Sequence, residues 1–208
     1  MSNIPNYGNA KNYFEERLNN HGASARGVDW NSETAQELRF SQLIKIIDPT
    51  QPFSLLDYGS GYGALADYLL RLEYPLESYT GFDVLESMAA KGREIHRNLP
   101  QCSFSSSFQE LAPVDIVIAS GIFNLKLETP FDEWTQYVTG ELHKMNDLSR
   151  RGFSFNMLTK YSDPEYMRQH LYYADPCYLF DYCKIHFSRN VALLHDYEVY
   201  DFTILVRK

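Results

Sequence analysis

The sequence predicts an α/β fold: a doubly wound sheet of about seven strands, mostly parallel with an antiparallel C-terminal hairpin strand, plus N-terminal helices. From about residue 50 onward, short apolar runs alternate with amphipathic segments, which is typical of strands separated by helices. Such strands pair in parallel through right-handed crossovers. The last two apolar runs, residues 191–194 and 200–206, have only five residues between them, which permits a hairpin but no helical crossover.

The individual elements follow in chain order. Residues 1–12 are polar and predict a loose arm, and apolar residues at i, i+3, i+4 and i+7 predict a helix over residues 32–47. The predicted strands are residues 53–58, 78–82, 102–105, 114–119, 152–158, 191–194 and 200–206. Further helices are predicted directly after Gly63, over residues 86–98 and over residues 163–187. Another is predicted to begin with Thr129 as N-cap and Pro130 in the first helical position.

Charge and cysteine content argue against several classes of partner. The 208 residues include 19 basic and 27 acidic side chains, a net charge of −8, and no basic cluster longer than Arg150-Arg151, so nucleic acid is not an expected partner. The three cysteines, Cys102, Cys177 and Cys183, have no metal-ligand spacing and suit a reducing compartment, which predicts a cytoplasmic protein without a metal. We expect no membrane segment, because no window approaches the ~18 apolar residues that a span requires, and no secretory signal.

A glycine cluster, Gly59-Ser-Gly-Tyr-Gly63, stands between the first predicted strand and the helix that follows it. Glycines at such a turn leave room for a ligand against the main chain, and the helix N-terminus can face a polar ligand group. Asp83 ends the second predicted strand 20 residues after Gly63, where nucleotide-binding folds place the carboxylate that binds ribose hydroxyls. A second acid, Asp57, comes directly before the cluster.

These residues resemble the class I S-adenosylmethionine-dependent methyltransferases, a Rossmann-like family whose first motif is an acid followed by G-x-G-x-G. Asp57-Tyr-Gly-Ser-Gly-Tyr-Gly63 matches that motif, and Gly81-Phe-Asp83 matches the acid that ends the second strand. Asp115-Ile-Val-Ile-Ala-Ser-Gly121 is similar to the fourth-strand motif, and residues 191–208 are similar to the closing hairpin. The resemblance covers about residues 50–208 and implies S-adenosylmethionine as the cofactor.

The resemblance also implies a domain organisation. Residues 1–208 are expected to form a single methyltransferase domain. Within it, residues 1–48 are an N-terminal helical cap and residues 49–208 are the cofactor-binding core. Residues 159–187 are an aromatic insert in that core.

The resemblance further implies which residues contact the cofactor. Those near its amino-acid part and ribose are Asp57 toward the ammonium group, Gly59, Ser60, Gly61 and Gly63 along the methionine, and Asp83 with Val84 at the ribose. Those near the sulfonium are Ala119, Ser120 and Gly121. Ser106 or Ser107 stands where many relatives carry an acid for the adenine amino group, so this contact departs from the family pattern. In the N-terminal segment, Trp30 and Arg39 are candidate contacts, Arg39 for the cofactor carboxylate, with ordinary packing as the alternative.

The substrate is expected to be a small molecule. Methyl transfer from a sulfonium is an in-line displacement, and a general base is needed only for a protonated acceptor. Catalytic residues are therefore not identified, although His21 or His170 could cover the pocket and act as a base. The segments 1–48 and 159–187 should lie at the carboxyl edge of the sheet and enclose a small acceptor. Seven aromatic side chains in residues 161–182 suit a planar acceptor, with core packing as the alternative.

Two other functions are compatible with the motifs. Gly59-Ser-Gly-Tyr-Gly-Ala64 also satisfies the G-x-G-x-x-[GA] pattern of NAD-dependent oxidoreductases, although Asp57 and the terminal hairpin argue against this function. A methyltransferase-like domain that binds a ligand without turnover is the second alternative, because a fold does not establish activity. We expect a monomer or a weak dimer.

Overall fold

The computed structural model describes residue 5 and residues 7–28 and 32–208. Its strands are β1 (Phe53–Tyr58), β2 (Leu76–Phe82), β3 (Cys102–Ser105), β4 (Val114–Ser120), β5 (Ser149–Leu158), β6 (Asn190–Leu194) and β7 (Asp201–Arg207). They form a seven-stranded sheet in the order β3-β2-β1-β4-β5-β7-β6. The strand β7 is antiparallel to both of its neighbours, whereas β1 to β5 pair in parallel. The predicted α/β class, with its mostly parallel sheet and C-terminal hairpin, is confirmed.

The helices cover both faces of the sheet. They are α1 (Tyr7–His21), α2 (Glu33–Leu43), α3 (Ala64–Arg71), α4 (Glu86–Ile95), α5 (Phe131–Leu148) and α6 (Pro176–His186). Successive side chains of a strand point to opposite faces. Leu55 of β1 therefore packs with α2, α3 and α4, whereas Leu56 packs with α5 and α6. Within the described part of the chain, no helix is long and apolar enough to cross a membrane.

Three predicted elements differ from the structure. Residues 7–12 are the start of α1 and not a loose arm. Pro130 is the N-cap of α5 in place of Thr129, whose N–H donates to the carbonyl of Lys126. Residues 163–187 are not one helix, because Pro176 lacks the N–H that a continuing helix would need and instead begins α6.

The register of β1 against β4 is fixed at the amino edge of the sheet by Ser54 and Asp115. Asp115 Oδ2 accepts hydrogen bonds from Ser54 N (2.8 Å) and Ser54 Oγ (2.7 Å). In return, Asp115 N donates to Ser54 Oγ over 2.9 Å. Further along the same pair of strands, Asp57 lies opposite Ile118. This pairing brings the ends of β1 and β4 together at the carboxyl edge.

Candidate functional site

A cavity of about 420 Å³ opens at the carboxyl edge of the sheet, within the range of about 300–1,000 Å³ that is typical of small-molecule sites. The glycine loop, residues 59–63, contributes residues 59–62 to one wall, together with the ends of β1, β2 and β4. Side chains of α1, α2, α4 and α5 line other parts of the cavity, together with Phe108, Gln109, Leu125 and Leu171. The position agrees with the rule that open α/β sheets bind ligands beyond the carboxyl ends of their strands.

The glycine loop has a backbone that side chains would obstruct. Gly59 and Gly61 have φ values of +87° and +54°, in the left-handed region. A Cβ on Gly59 would lie 2.2 Å from Ile122 Cγ2. The amides of Gly59 and Ser60 donate to the carbonyl of Phe82 over 2.7 and 2.9 Å. The loop is therefore fixed against the end of β2 while its main chain borders the cavity.

Asp83 is held by two backbone amides of the same edge. Its Oδ2 accepts a hydrogen bond from Gly61 N and its Oδ1 accepts one from Leu85 N, each over 2.9 Å. Each carboxylate oxygen keeps a further lone pair, so both can accept from ligand hydroxyls. Burial raises the pKa of Asp83 to about 6, although the two amides oppose this shift. The carboxylate is thus mostly ionised at neutral pH, although its pKa lies closer to 7 than that of an ordinary aspartate.

Asp57, on the neighbouring strand, is also buried in the cavity wall. The hydroxyl of Tyr79 donates to Asp57 Oδ2 over 2.6 Å. Burial raises the pKa of Asp57 to about 7, with the Tyr79 hydrogen bond opposing the shift and the charge of Asp83 adding to it. Two carboxyl groups with raised pKa values therefore border one cavity. A cationic ligand group beside them would favour their ionised forms.

The cavity wall after β4 is held by a buried chain of hydrogen bonds. Gly121 N donates to Asn156 Oδ1 over 2.9 Å, and Asn156 Nδ2 donates to Asp201 Oδ2 over 2.8 Å. Arg39 Nε and Nη2 donate to the two carboxylate oxygens of Asp201 over 3.0 and 2.6 Å. Ser120, in the same wall, has a buried Oγ without a hydrogen-bond partner among the described residues. A ligand group could satisfy this hydroxyl.

A polar cluster on α5 lines another part of the cavity. Glu141 is buried; its Oε2 accepts from the Tyr58 hydroxyl and its Oε1 from Lys144 Nζ, each over 2.6 Å. Tyr137 lies one helical turn before Glu141 and also lines the cavity. Its hydroxyl makes no hydrogen bond with another described residue. The ammonium of Lys144 lies 5.5 Å from the ring centroid of Phe108, so this ring is held beside the cluster.

The structure brings most of the predicted contacts together. Eight of the predicted contact residues line the cavity: Asp57, Gly59, Ser60, Gly61, Asp83, Val84, Ser120 and Gly121. Gly63 and Ala119 do not line it, because Gly63 faces the ring of Phe104 at the start of α3 and Ala119 is fully buried in the core. Trp30 lies outside the described residues. Contact of any of these side chains with a cofactor stays a prediction.

Three predicted contacts are directed elsewhere. Arg39 is paired with the fully buried carboxylate of Asp201 and does not line the cavity. Ser106 Oγ donates to Glu86 Oε2 over 2.5 Å, and Ser107 Oγ donates to Gln109 Oε1 over 3.2 Å, and neither serine lines the cavity. The residues that do line it after β3 are Phe108 and Gln109.

The predictions missed the cavity residues Tyr58, Phe108, Tyr137, Glu141 and Lys144. A signal for three of them is present in the sequence, because Tyr137, Glu141 and Lys144 follow one another at i, i+4 and i+7 and so share one face of α5. Hydrophobic periodicity alone does not identify these three residues, because it follows the apolar face of the same helix, from Trp134 to Met145.

The chain has a relative in Mycobacterium tuberculosis with the name "Putative methyltransferase Rv1506c". The two are 46% identical over 165 residues, which cover 79% of this chain and 99% of the relative. No family model matches the chain.

Solved methyltransferase structures share the fold. The N-methyltransferase NodS from Bradyrhizobium japonicum WM9, solved with S-adenosyl-L-homocysteine, has a TM-score of 0.67 at 13% identity, covering 96% of this chain and 98% of NodS. Human N-acetylserotonin methyltransferase, solved with S-adenosylmethionine, has a TM-score of 0.60 at 15% identity, covering 82% of this chain and 51% of that protein. The small RNA methyltransferase HEN1 has a TM-score of 0.59 at 14% identity, covering 85% of this chain and 26% of HEN1. At these identities the likeness concerns the fold alone.

The relative at 46% identity, the strand order and the acid-glycine motif all agree. The NAD-dependent oxidoreductase alternative is therefore set aside. The chain belongs to the methyltransferases, and its fold is that of the class I S-adenosylmethionine-dependent enzymes.

Proposed function

We propose that this methyltransferase acts on a small-molecule acceptor by in-line methyl transfer. Bound S-adenosylmethionine supplies a methyl group that is activated by a positively charged sulfur. The residues of the chain then hold the cofactor, exclude water and align the acceptor opposite the methyl group.

The cavity residues fit the groups of this cofactor. The free lone pairs of Asp83 suit the ribose hydroxyls, because each oxygen is already oriented by a backbone amide. The carboxyl of Asp57 suits the ammonium group of the methionine part, which would favour its ionised form. Along the glycine loop, the missing side chains of Gly59 and Gly61 leave main chain beside the ligand. The unsatisfied hydroxyl of Ser120 adds a polar group to the same wall.

The side chains that border the cavity are the observation that carries the proposed substrate class. Lys11 and Phe14 of α1 form part of its wall, and Leu125 and Leu171, which are joined by an isolated β-bridge, form another part. These side chains stand at the edge where the acceptor must approach. A polymer would have to displace them, whereas a small molecule can enter a cavity of about 420 Å³.

Charge supports the same substrate class. Among the described residues, the acidic side chains that line the cavity are Asp57, Asp83 and Glu141, and the basic ones are Lys11 and Lys144. The whole chain carries a net charge of −8. Both features oppose the approach of a phosphate backbone, because a polyanion is held by excess positive charge.

We assign no catalytic base. Among the described residues no histidine lines the cavity, and the predicted candidates His21 and His170 are exposed. An acceptor that arrives without its proton needs no base, and alignment then supplies most of the rate increase.

Labelled transfer tests the proposal. The protein is incubated with methyl-labelled S-adenosylmethionine and a fractionated extract of its own cells, with the Asp83→Ala variant as the control that lacks the ribose anchor. We expect label in a low-mass fraction with the wild type and a much weaker signal with the variant. Label that appears only in tRNA, DNA or protein would contradict the small-molecule acceptor. If the chain binds S-adenosylhomocysteine but labels no fraction, the non-catalytic alternative is favoured.

A further inference from the structure

The adenine end of the cofactor lacks the partner expected from the sequence. Ser106 and Ser107 bond to Glu86 and Gln109 and do not line the cavity. The same cavity is also lined by Phe82, directly before Asp83, by Phe108, which packs against Phe82, and by the polar cluster on α5. A base attached to a ribose at Asp83 could extend toward these residues.

The walls of this part of the cavity are aromatic. The ring centroids of Tyr58 and Phe82 are 5.1 Å apart, those of Phe82 and Phe108 are 6.1 Å apart, and those of Tyr58 and Phe108 are 6.5 Å apart. Val84, directly after Asp83, adds an apolar side chain. Planar apolar surfaces of this kind suit a purine ring, which packs against aromatic side chains.

At its α5 end, this part of the cavity presents one hydrogen-bond acceptor, Glu141, and one donor, Tyr137. Each carboxylate oxygen of Glu141 already accepts one hydrogen bond and keeps a lone pair for a second. The hydroxyl of Tyr137 makes no hydrogen bond with another described residue. Burial, and to a smaller extent the charge of Glu141, raises the pKa of Tyr137 far above its ordinary value, so the hydroxyl stays protonated. Tyr137 and Glu141 are i and i+4 on α5 and therefore share one face.

We propose that Glu141 and Tyr137 select adenine as the base of the cofactor. Glu141 accepts a hydrogen bond from the C6 amino group, and Tyr137 donates one to the adjacent ring nitrogen N1. The carboxylate that many relatives carry after the third strand is thus replaced by one from α5. The inference rests on the proposed placement of the ribose at Asp83.

Hypoxanthine is the discriminating probe, because it reverses the donor and acceptor at these two positions. Its C6 oxygen would face the carboxylate of Glu141, which can only accept, whereas its N1–H could donate to the hydroxyl of Tyr137, so the discrimination arises at Glu141. Affinities for S-adenosyl-L-homocysteine and S-inosyl-L-homocysteine are measured by titration calorimetry. We expect the wild type to prefer the adenine compound by about tenfold or more, since a hydrogen bond to a charged group is lost and a repulsive contact replaces it.

Two variants test the separate roles of these residues. In Glu141→Gln the side-chain amide can turn to present either its oxygen or its NH₂ group, so the preference should fall to less than about threefold. Tyr137→Phe removes a hydroxyl that has no partner among the described residues, so the fold is retained and both compounds should bind several-fold more weakly, with the preference nearly unchanged. The matched controls are Glu133→Gln, at an exposed position of the same helix, and Tyr178→Phe, at an exposed position of α6.

The outcomes separate this inference from the rest of the assignment. If both variants keep the wild-type affinities and the wild-type preference, the inference is wrong while the cofactor assignment stands. If Glu141→Gln does not fold, unchanged binding in Tyr137→Phe overturns the inference by itself. If the wild type binds neither compound, the placement of the cofactor is wrong as well. The label-transfer experiment reports the class of acceptor, whereas these affinities report the recognition of the cofactor's base.

Discussion

The side chain of Asn156 accepts a hydrogen bond from the backbone N–H of Gly121 over 2.9 Å and thereby connects the interior of the sheet with the cavity wall. The same side chain donates to Asp201, which is paired with Arg39 of α2. Asn156 itself is fully buried in β5 and does not line the cavity. The wall after β4 is therefore positioned by a residue that cannot contact the ligand.

Asn156→Leu should loosen this wall. The substitution keeps a similar volume but leaves the Gly121 amide without its partner and removes the hydrogen bond from Asn156 to Asp201, which keeps Arg39, so we expect a loss of about 1–3 kcal/mol in the free energy of unfolding. Hydrogen exchange at the Gly121 amide should accelerate, and the affinity for S-adenosylhomocysteine should fall several-fold. Thr203→Val is the control, because Thr203 lies opposite Asn156 in β7 and bonds to Tyr197 instead. Equal exchange rates at Gly121 in both variants would contradict the positioning role.

Arg39→Met should reduce stability and leave cofactor affinity nearly unchanged. Asp201 would remain as a fully buried charge without its partner, which lowers the free energy of unfolding by about 3–5 kcal/mol. Arg39→Met combined with Asp201→Asn should recover part of this loss, because the uncompensated charge is removed. Chemical denaturation and calorimetry with S-adenosylhomocysteine measure the two quantities. A large loss of affinity with little loss of stability would instead support the predicted contact with the cofactor carboxylate.

The two cavity carboxyl groups predict a specific pH dependence. Burial raises the pKa values of Asp57 and Asp83 from 3.8 to about 7 and about 6 in the folded chain. Between about pH 4 and 7 these groups bind more protons in the folded than in the unfolded state, so their contribution to stability decreases as the pH rises and is constant above this range.

Asp57→Asn makes this dependence measurable. The stability of the variant relative to the wild type should increase as the pH rises from about 5 to about 7.5. Over the same range the wild-type affinity for S-adenosylhomocysteine should increase, because its ammonium and ribose groups favour ionised carboxylates. The exposed Asp181→Asn serves as the control. A stability difference between Asp57→Asn and the wild type that does not change with pH would show that the Asp57 carboxyl keeps its ordinary pKa.

Two glycine substitutions, one in the glycine loop and one in α5, should change stability in opposite directions. Gly59→Ala places a Cβ 2.2 Å from Ile122 Cγ2 at a φ of +87°, and the left-handed backbone alone costs about 1–2 kcal/mol. We expect reduced stability and a loss of S-adenosylhomocysteine binding. Gly140→Ala lies within α5, where a Cβ meets nothing within 4 Å, and should stabilise the chain by about 0.5–1 kcal/mol. Thermal unfolding of both variants makes the comparison; a neutral Gly59→Ala would show that the loop adapts.

The sequence predicted what depends on neighbouring residues and missed what depends on distant ones. The strands, the glycine loop and Asp83 follow from short patterns, and the structure places them together. The partner of Arg39 is Asp201, 162 residues away, and no local pattern distinguishes it from a ligand carboxylate. The cluster around Glu141 likewise joins α5 to Tyr58, 83 residues earlier, so its burial becomes visible only in the folded chain.

The hydrogen bonds between Ser54 and Asp115 determine which insertions, deletions and substitutions this site tolerates. Successive side chains of β1 face opposite layers, so a slip by one residue would move Asp57 to the layer of α5 and Tyr58 to the layer of α3. One carboxyl would leave the cavity, and Glu141 would lose its hydroxyl partner. Because the register is set at the amino edge, point substitutions in the glycine loop act locally. A single-residue insertion or deletion between Ser54 and Gly59 would disrupt the ammonium side and the base side of the cavity together.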